Sequence, residues 1–120
     1  MCGVMIVEDE ALVLLELSMT VEELGYDLHS ESTTIDRALE AADREDPDVA
    51  LLDIDVGGEP VWPVARKLTA AGRPIIFVSA NLRHPELDGE FSTCHKLEKP
   101  ASRAEIESAL RSCYPKEIAA

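Results

Sequence analysis

Carboxylates, a hydroxyl and an amine recur in this chain at one kind of place, the end of a short predicted strand. The residues are Glu8, Asp9 and Glu10 after the first strand, Asp53 at the end of the third, Ser79 at the end of the fourth and Lys99 at the end of the fifth. A carboxylate can attack phosphorus and form an acyl phosphate. That reaction needs positive charge at the phosphoryl oxygens, from a metal ion and an ammonium group, together with a hydroxyl donor. Asp53, Lys99 and Ser79 fit the roles of nucleophile, ammonium group and hydroxyl.

The acidic residues of this set also predict a cation site. Two carboxylates 4 Å apart repel each other by about 4 kcal/mol at an effective dielectric of 20, so a tight cluster tends to persist only with a bound cation. Oxygen ligands favour a hard ion such as Mg²⁺. Each residue alone has a plainer interpretation, because acids are favoured before a helix and a serine or lysine is common in a turn. Four such coincidences in one short chain favour the functional interpretation.

Alternating strand and helix patterns predict how these residues are positioned. Strands are predicted at 3–7, 26–31, 48–53, 75–78 and 95–97, of which the second is polar and the last is marginal. Helices are predicted at 10–24, 34–45, 60–71 and 102–113, with at best a short helix within 81–91. This alternation indicates an α/β fold with a parallel sheet and helices on both faces. Ligands of such sheets bind beyond the carboxyl ends of the strands, where the polar residues fall.

Local signals support the helix boundaries. In the first helix Leu12, Leu15, Met19 and Leu24 recur at helical spacing. Ile35, Ala38, Leu39 and Ala42 do the same in the second. The remaining signals are Gly25 and Gly72 at helix ends, and a capping box formed by Ser102 and Glu105.

The bulk properties indicate a single domain over residues 1–120, with no output domain expected after Tyr114. The formal net charge of −13 opposes a free-standing nucleic-acid binder. No apolar run approaches the roughly 20 residues of a membrane helix. The three cysteines form no C-x-x-C unit, so we expect partly buried thiols in a reducing cytoplasm.

Four segments resemble the signature of the response-regulator receiver family, in that family's order. They are Met5-Ile6-Val7-Glu8-Asp9-Glu10, Leu51-Leu52-Asp53, Val78-Ser79-Ala80 and Glu98-Lys99-Pro100. The spacings also agree, with 44 residues from Asp9 to Asp53, 26 more to Ser79 and 20 more to Lys99. The resemblance spans nearly the whole chain. It implies a doubly wound, flavodoxin-like receiver fold whose five parallel strands have the order 2-1-3-4-5.

The same resemblance implies the chemistry and the partners. A histidine kinase or a histidine phosphotransfer protein would phosphorylate Asp53, in a phosphoacceptor that is not an enzyme in the usual sense. Mg²⁺ would be held by Glu8 through water, by Asp9, by Asp53 and by the main-chain carbonyl of Asp55. Ser79 and Lys99 would contact the phosphoryl oxygens. The Lys99–Pro100 bond is expected to be cis. Signalling would pass by protein contact. The protein would act either as a phosphate shuttle or sink between a kinase and another phosphotransfer protein or by binding a downstream target, with a homodimer as a further option.

The chain departs from the family at one switch position. Most receivers carry an aromatic residue three positions before the lysine, and it moves inward together with the hydroxyl residue. That position is Lys96 here, so the switch formed with Ser79 must differ, and His95 is a candidate substitute. Residues 57–65 and 72–77 resemble a single-domain subgroup of alphaproteobacteria associated with HWE-type kinases. That subgroup continues with Thr-Gly-Tyr where this chain has Ser79-Ala80-Asn81.

Two alternatives remain open at this point. The first is a receiver-like adaptor that is never phosphorylated, which the replaced aromatic residue leaves open. The second is a haloacid-dehalogenase-type phosphatase, because Asp53-Ile54-Asp55-Val56 with Ser79 and a later lysine is similar to the motifs of those enzymes. Those enzymes place the nucleophile on their first strand, carry an acidic pair after the lysine and are longer, so we disfavour this alternative.

Overall fold

The structure is a computed structural model, and it describes residues 3–113. Its strands are β1 (Gly3–Val7), β2 (Asp27–Ser32), β3 (Val49–Leu52), β4 (Asp55–Val56), β5 (Glu59–Pro60), β6 (Ile75–Ser79) and β7 (His95–Glu98). Its helices are α1 (Ala11–Glu23), α2 (Ile35–Arg44), α3 (Trp62–Ala70), α4 (Pro85–Asp88) and α5 (Arg103–Cys113). The predicted alternation of strands and helices is confirmed, including the short helix within 81–91.

Five strands form one parallel sheet in the order β2-β1-β3-β6-β7. The strands β4 and β5 pair antiparallel in a separate hairpin. When the hairpin strands are set aside, the observed order is the predicted 2-1-3-4-5. Because all five strands run in the same direction, the residues that follow them lie along one edge of the sheet.

The sheet is covered on both faces, because successive side chains of a strand point to opposite sides. One core cluster contacts α2, α3 and α4, and the other contacts α1 and α5. The strand residues of the first cluster are Met5, Val7, Ala50, Leu52, Val56, Ile75 and Phe77. Those of the second are Val4, Ile6, Val49, Leu51, Ile76 and Val78. This double burial explains why β1, β3 and β6 are almost continuously apolar.

The helix-capping residues and helix-terminal glycines predicted from the sequence have the expected geometry. The Ser102 hydroxyl accepts from the Glu105 main-chain N–H at 3.1 Å, and the Glu105 carboxylate accepts from the Ser102 N–H at 2.8 Å, which completes the capping box. The glycines after α1 and α3 both have positive φ, 94° at Gly25 and 74° at Gly72, as helix termination requires. In α2 the buried residues are Ile35, Ala38 and Ala42, as the spacing predicted.

The helix α1 is confirmed, but the face suggested by the apolar spacing does not pack on the sheet. Leu12, Leu15 and Met19 are 75%, 54% and 50% exposed. The buried residues of this helix are instead Leu17, Ser18 and Val21. The reason is that α1 is apolar around most of its circumference, so periodicity alone does not select the packed face.

The hairpin of β4 and β5 was not predicted, because residues 54–59 read as a loop. Its two-residue turn uses Gly57 at φ 62° and Gly58 at φ 82°, a conformation that favours glycine. The hairpin delays the start of α3 to Trp62, two residues later than predicted. It therefore adds a structured element between Asp53 and the third helix.

The remaining expectations concern the membrane and the cysteines. No helix among residues 3–113 is long and apolar enough to cross a membrane. Cys94 and Cys113 are partly buried free thiols, as predicted. Cys2 lies outside the described residues.

Candidate functional site

Three carboxylates meet at the carboxyl edge of the sheet. Glu8, Asp9 and Asp53 each offer an oxygen, and these oxygens all lie within 4.8 Å of one another. The neighbouring strands β1 and β3 bring them together, since Val7 pairs with Leu52 and the Asp53 N–H donates to the Val7 carbonyl at 2.9 Å. The proximity predicted from the strand ends is confirmed by this geometry.

Asp53 is held in a buried position, with only 8% of the residue exposed. Its Oδ1 accepts a hydrogen bond from the Ile54 main-chain N–H at 2.8 Å, and its Oδ2 lies 3.3 Å from Lys99 Nζ. Burial raises the pKa of Asp53, and the nearby charge of Lys99 opposes this shift only in part. The carboxylate is therefore fixed in orientation and costly to keep charged without more positive charge nearby.

Glu8 has no solvent exposure and forms an ion pair with Lys99, whose Nζ lies 2.7 Å from Glu8 Oε1. Its Oε2 accepts from the Glu10 main-chain N–H at 3.0 Å. Burial raises the pKa of Glu8 despite these contacts. Burial opposes the charge on Lys99, but the hydrogen bond to Glu8 and the charge of Asp53 keep the pKa of Lys99 above its usual value. The amine thus bridges two of the three carboxylates.

Asp9 differs from the other two carboxylates because it is exposed. Its Oδ2 accepts a hydrogen bond from the Gly57 main-chain N–H at 2.9 Å, across 48 positions of sequence. Sequence reasoning missed this contact, since a main-chain donor has no side-chain signature. The two glycines were the available signal, because they favour a tight turn close to the site.

Ser79 is the last residue of β6 and is 4% exposed. Its hydroxyl accepts from the Asn81 main-chain N–H at 3.3 Å. The Lys99 main-chain N–H donates to the Ser79 carbonyl at 2.9 Å, which ties the ends of β6 and β7 together. The Lys99–Pro100 peptide bond is cis, as expected.

Comparisons with known proteins agree with this fold. No family model matches the chain. The sensory transduction protein LytT of Bacillus subtilis (strain 168) is 27% identical over 92% of the chain, which spans 47% of that relative's length. The signal receiver domain of a modulated diguanylate cyclase from Desulfovibrio desulfuricans G20 has a TM-score of 0.82, 28% identity, and coverage of 97% of this chain and 95% of the other. The Erythrobacter litoralis PhyR receiver domain has a TM-score of 0.80, 26% identity, and coverage of 93% and 88%. The chain has the receiver fold of response regulators, and its solved neighbours are response-regulator receiver domains.

The receiver has a donor set that suits a hard divalent cation. Three carboxylates face one ammonium group, so the cluster carries excess negative charge when all are ionised. Oxygen-only ligands with partial exposure on the Asp9 side are the environment that Mg²⁺ commonly uses. The residues therefore fit the ion that the family resemblance implied. The side chain of Asp55, at the start of β4, is exposed, and the role of its main-chain carbonyl stays a prediction.

The departure at Lys96 has a specific structural form in this receiver. The side chain is half-buried in β7, and its Nζ donates to the carbonyls of Ser92 at 3.1 Å and Cys94 at 2.9 Å. Lys96 thus stabilises the turn before β7. Most receivers have an aromatic residue at the position of Lys96. His95 beside it is also half-buried. The switch role assigned to Ser79 and Lys96 stays a prediction.

Proposed function

We propose that this receiver accepts a phosphoryl group on Asp53 from a histidine kinase or a histidine phosphotransfer protein, with Mg²⁺ held by the acidic cluster. The environment of the Asp53 carboxylate is the observation that supports this proposal. Its carboxylate is buried beside two further carboxylates and lies 3.3 Å from the Lys99 amine. This combination of a fixed nucleophile, a cation site and an ammonium group is what phosphoryl transfer to a carboxylate requires.

In the proposed reaction, an Asp53 carboxylate oxygen forms a bond to phosphorus while the phosphorus–nitrogen bond of the donor phosphohistidine breaks. The histidine ring takes up a proton and leaves as neutral imidazole. The Ile54 N–H fixes the orientation of the Asp53 carboxylate, and the Lys99 amine offsets charge on the phosphoryl oxygens. The Ser79 hydroxyl is the proposed hydrogen-bond donor to the phosphoryl group. Mg²⁺, when bound, supplies further positive charge to the transferring group.

The exposed side of α1 suits a protein phosphodonor. Leu12, Leu15 and Met19 are the large apolar residues exposed among residues 3–113, and they recur along one helix. A surface groove of about 430 Å³ runs between this helix and residues 99–101, and Lys99 is part of its lining. An exposed apolar surface beside a reactive group is typical of a protein interaction site. We therefore propose that the phosphodonor docks on the exposed side of α1.

The finer parts of the proposal concern the kind of partner and the cellular location. The likeness of residues 57–65 to the single-domain subgroup supports an HWE-type kinase as donor, with a downstream protein as target. The unpaired thiols of Cys94 and Cys113 support a reducing compartment, and we propose the cytoplasm. The phosphatase alternative is disfavoured, since Asp53 follows the third strand of the chain and those enzymes use their first.

The direct test is incubation of the full chain with acetyl phosphate, with and without Mg²⁺, followed by intact mass measurement. We expect a Mg²⁺-dependent gain of one phosphoryl group that Asp53→Asn abolishes. The matched control is Asp36→Asn, which removes an exposed carboxylate in the first turn of α2 and should be labelled like the wild type.

The remaining outcomes separate the alternatives. Mg²⁺ binding without an adduct points to fast hydrolysis, and a stable beryllofluoride complex that Asp53→Asn prevents would then support the proposal. Neither metal binding nor an adduct would refute it and favour the adaptor, which needs no working site.

A further inference from the structure

We propose that the β4–β5 hairpin positions the cation site, and that the main-chain N–H of Gly57 orients Asp9 as a metal ligand. The inference rests on the proposed function, because it requires the acidic cluster to bind Mg²⁺. It assigns a role to a segment between Asp53 and α3 that sequence patterns predict to be a plain loop. Gly57 is a positioning residue in this proposal, since it acts through Asp9 and contacts no reacting atom.

The contact itself is the first observation. Asp9 is exposed, so its side chain is not held in place by packing. The hydrogen bond from Gly57 N to Asp9 Oδ2, at 2.9 Å, engages one of the two carboxylate oxygens. A carboxylate can accept at both oxygens, so Oδ1 stays available to a cation. Hydrogen bonds of this kind commonly fix the orientation of a ligating carboxylate.

The second observation is that the hairpin is anchored in the core on both sides of its turn. Val56 and Val61 are 2% and 0% exposed. The Val61 N–H donates to the Ile54 carbonyl at 2.8 Å, which closes the base of the hairpin next to Asp53. The turn therefore projects from a rigid base toward Asp9. The hairpin also begins at Asp55, whose main-chain carbonyl is a predicted ligand of the same ion.

The turn offers variants that change its backbone without creating a clash. A methyl group added at Gly57 or at Gly58 would meet no atom within 4 Å. Both residues have positive φ, so alanine strains the turn at either position through the backbone alone. Asparagine tolerates this conformation better than alanine. Gly57→Ala therefore disturbs the donor to Asp9, Gly57→Asn is its conservative rescue, and Gly58→Ala is the matched strain control.

The experiment measures Mg²⁺ affinity of the full chain by calorimetry and melting temperature without metal. We expect Gly57→Ala to weaken Mg²⁺ binding by about tenfold, the lower end of the range for losing a group that orients a metal ligand. Gly57→Asn and Gly58→Ala should stay within about threefold of the wild type, because both keep the donor in place. The metal-free melting temperatures of Gly57→Ala and Gly58→Ala should be similar. If Gly57 had only a structural role, Gly57→Ala and Gly58→Ala would both lower the melting temperature, and their Mg²⁺ affinities would not differ.

Amide hydrogen exchange in the metal-free protein tests the hydrogen bond from Gly57 N–H to Asp9 directly. Asp9→Ala, which removes the acceptor of the Gly57 N–H, should accelerate exchange at Gly57 and leave the core strand β3 unchanged. Equal Mg²⁺ affinities of Gly57→Ala and the wild type would overturn the inference, as would equal weakening by Gly57→Ala and Gly58→Ala. If the wild type binds no Mg²⁺, the proposed function fails together with the inference. If the wild type binds Mg²⁺ and the variants do not differ, only the inference fails.

Discussion

Glu8 and Asp53 are carboxyl groups that folding removes from water at an energetic cost. Burial raises the pKa of both above their ordinary values near 4.5 and 3.8. The folded protein consequently binds protons at these sites more tightly than the unfolded chain does. Their contribution to stability is thus largest at low pH, and it is lost as the pH rises through the raised pKa values of the folded protein. In the metal-free protein the two groups oppose folding at neutral pH.

Substitution of Asp53 should therefore stabilise the metal-free protein. Asp53→Asn removes one buried negative charge and keeps Oδ1 as acceptor for the Ile54 N–H. We expect the free energy of unfolding at pH 7 to rise by about 1 kcal/mol, a part of the repulsion between close carboxylates that Lys99 does not offset. The gain should shrink as the pH falls through the raised pKa of Asp53, because the wild-type carboxyl then takes up a proton. Urea unfolding in a chelator at pH 7 and at pH 4 measures it.

The control for this prediction is Asp36→Asn, which should change the free energy of unfolding by less than about 0.5 kcal/mol at either pH, as expected at an exposed position. A lower stability of Asp53→Asn at pH 7 would contradict the argument. It would mean that the contact of Asp53 with Lys99 outweighs the repulsion from Glu8 and Asp9.

The reactive side chains were predictable from the sequence, but the main-chain groups that orient them were not. Asp53, Ser79 and Lys99 were identifiable because each stands at the end of a predicted strand. The N–H groups of Ile54, Gly57 and Asn81, which fix three of the site oxygens, are main-chain donors. Every residue except proline has such a donor, so only the folded geometry shows which ones are used.

Among the elements, α1 shows how a correct helix can be assigned the wrong face. Its residues 11–15 are all apolar, and further apolar residues follow at 17, 19 and 21. More than one helical face therefore fits the 3.6-residue period. Packing against β1 and α5 selects the face with Leu17 and Val21, which leaves Leu12, Leu15 and Met19 in solvent. Exposure of three large apolar residues on one helix is the reason to consider it a docking surface.

Leu15→Gln is the element-scale test of this surface. Leu15 is exposed, so we expect the free energy of unfolding to change by less than about 0.5 kcal/mol. Phosphotransfer from a phosphorylated histidine kinase should slow, while labelling by acetyl phosphate should stay at the wild-type rate. Leu17→Ala is the contrasting variant, because Leu17 is buried in the core and its truncation should cost about 2–4 kcal/mol. Unchanged transfer from the kinase with Leu15→Gln would exclude this part of α1 from docking.

The strands of the sheet were predictable to within one or two residues. Burial on both faces makes β1, β3 and β6 almost continuously apolar, whereas the polar β2 and β7 gave weaker signals. The hairpin was not, since β4 and β5 have two residues each and contain no apolar run. Such short strands depend on tertiary anchoring, here through Val56 and Val61, more than on their own sequence pattern. This is the element on which the orientation of Asp9 depends.

For the whole molecule, the parallel sheet converts a linear spacing into one site. Asp9, Asp53 and Lys99 are far apart in the sequence, and the register of β1, β3, β6 and β7 brings them to one edge. The alternation of elements predicted the parallel sheet, and the family resemblance implied the strand order. Solved receivers with 26% and 28% identity have the same fold at TM-scores of 0.80 and 0.82. The fold is therefore shared although most residues differ.

With a net charge of −13, we expect NaCl to stabilise this chain, because ions screen the repulsion among its 24 acidic residues. A specific Mg²⁺ site must show an effect beyond screening. We expect the melting temperature to rise more in MgCl₂ than in NaCl at equal ionic strength. A Mg²⁺ concentration ten times the dissociation constant adds about 1.4 kcal/mol to the free energy of unfolding.

Asp9→Asn distinguishes the site from the overall charge. The variant changes the net charge by only one unit, so its response to NaCl should match that of the wild type. Its additional response to MgCl₂ should be largely lost, since Asp9 is a proposed ligand and its carboxylate is one of the three within 4.8 Å. Thermal unfolding in the two salts measures both responses. Equal responses of the wild type to MgCl₂ and NaCl would show that divalent ions act on this acidic surface only by screening.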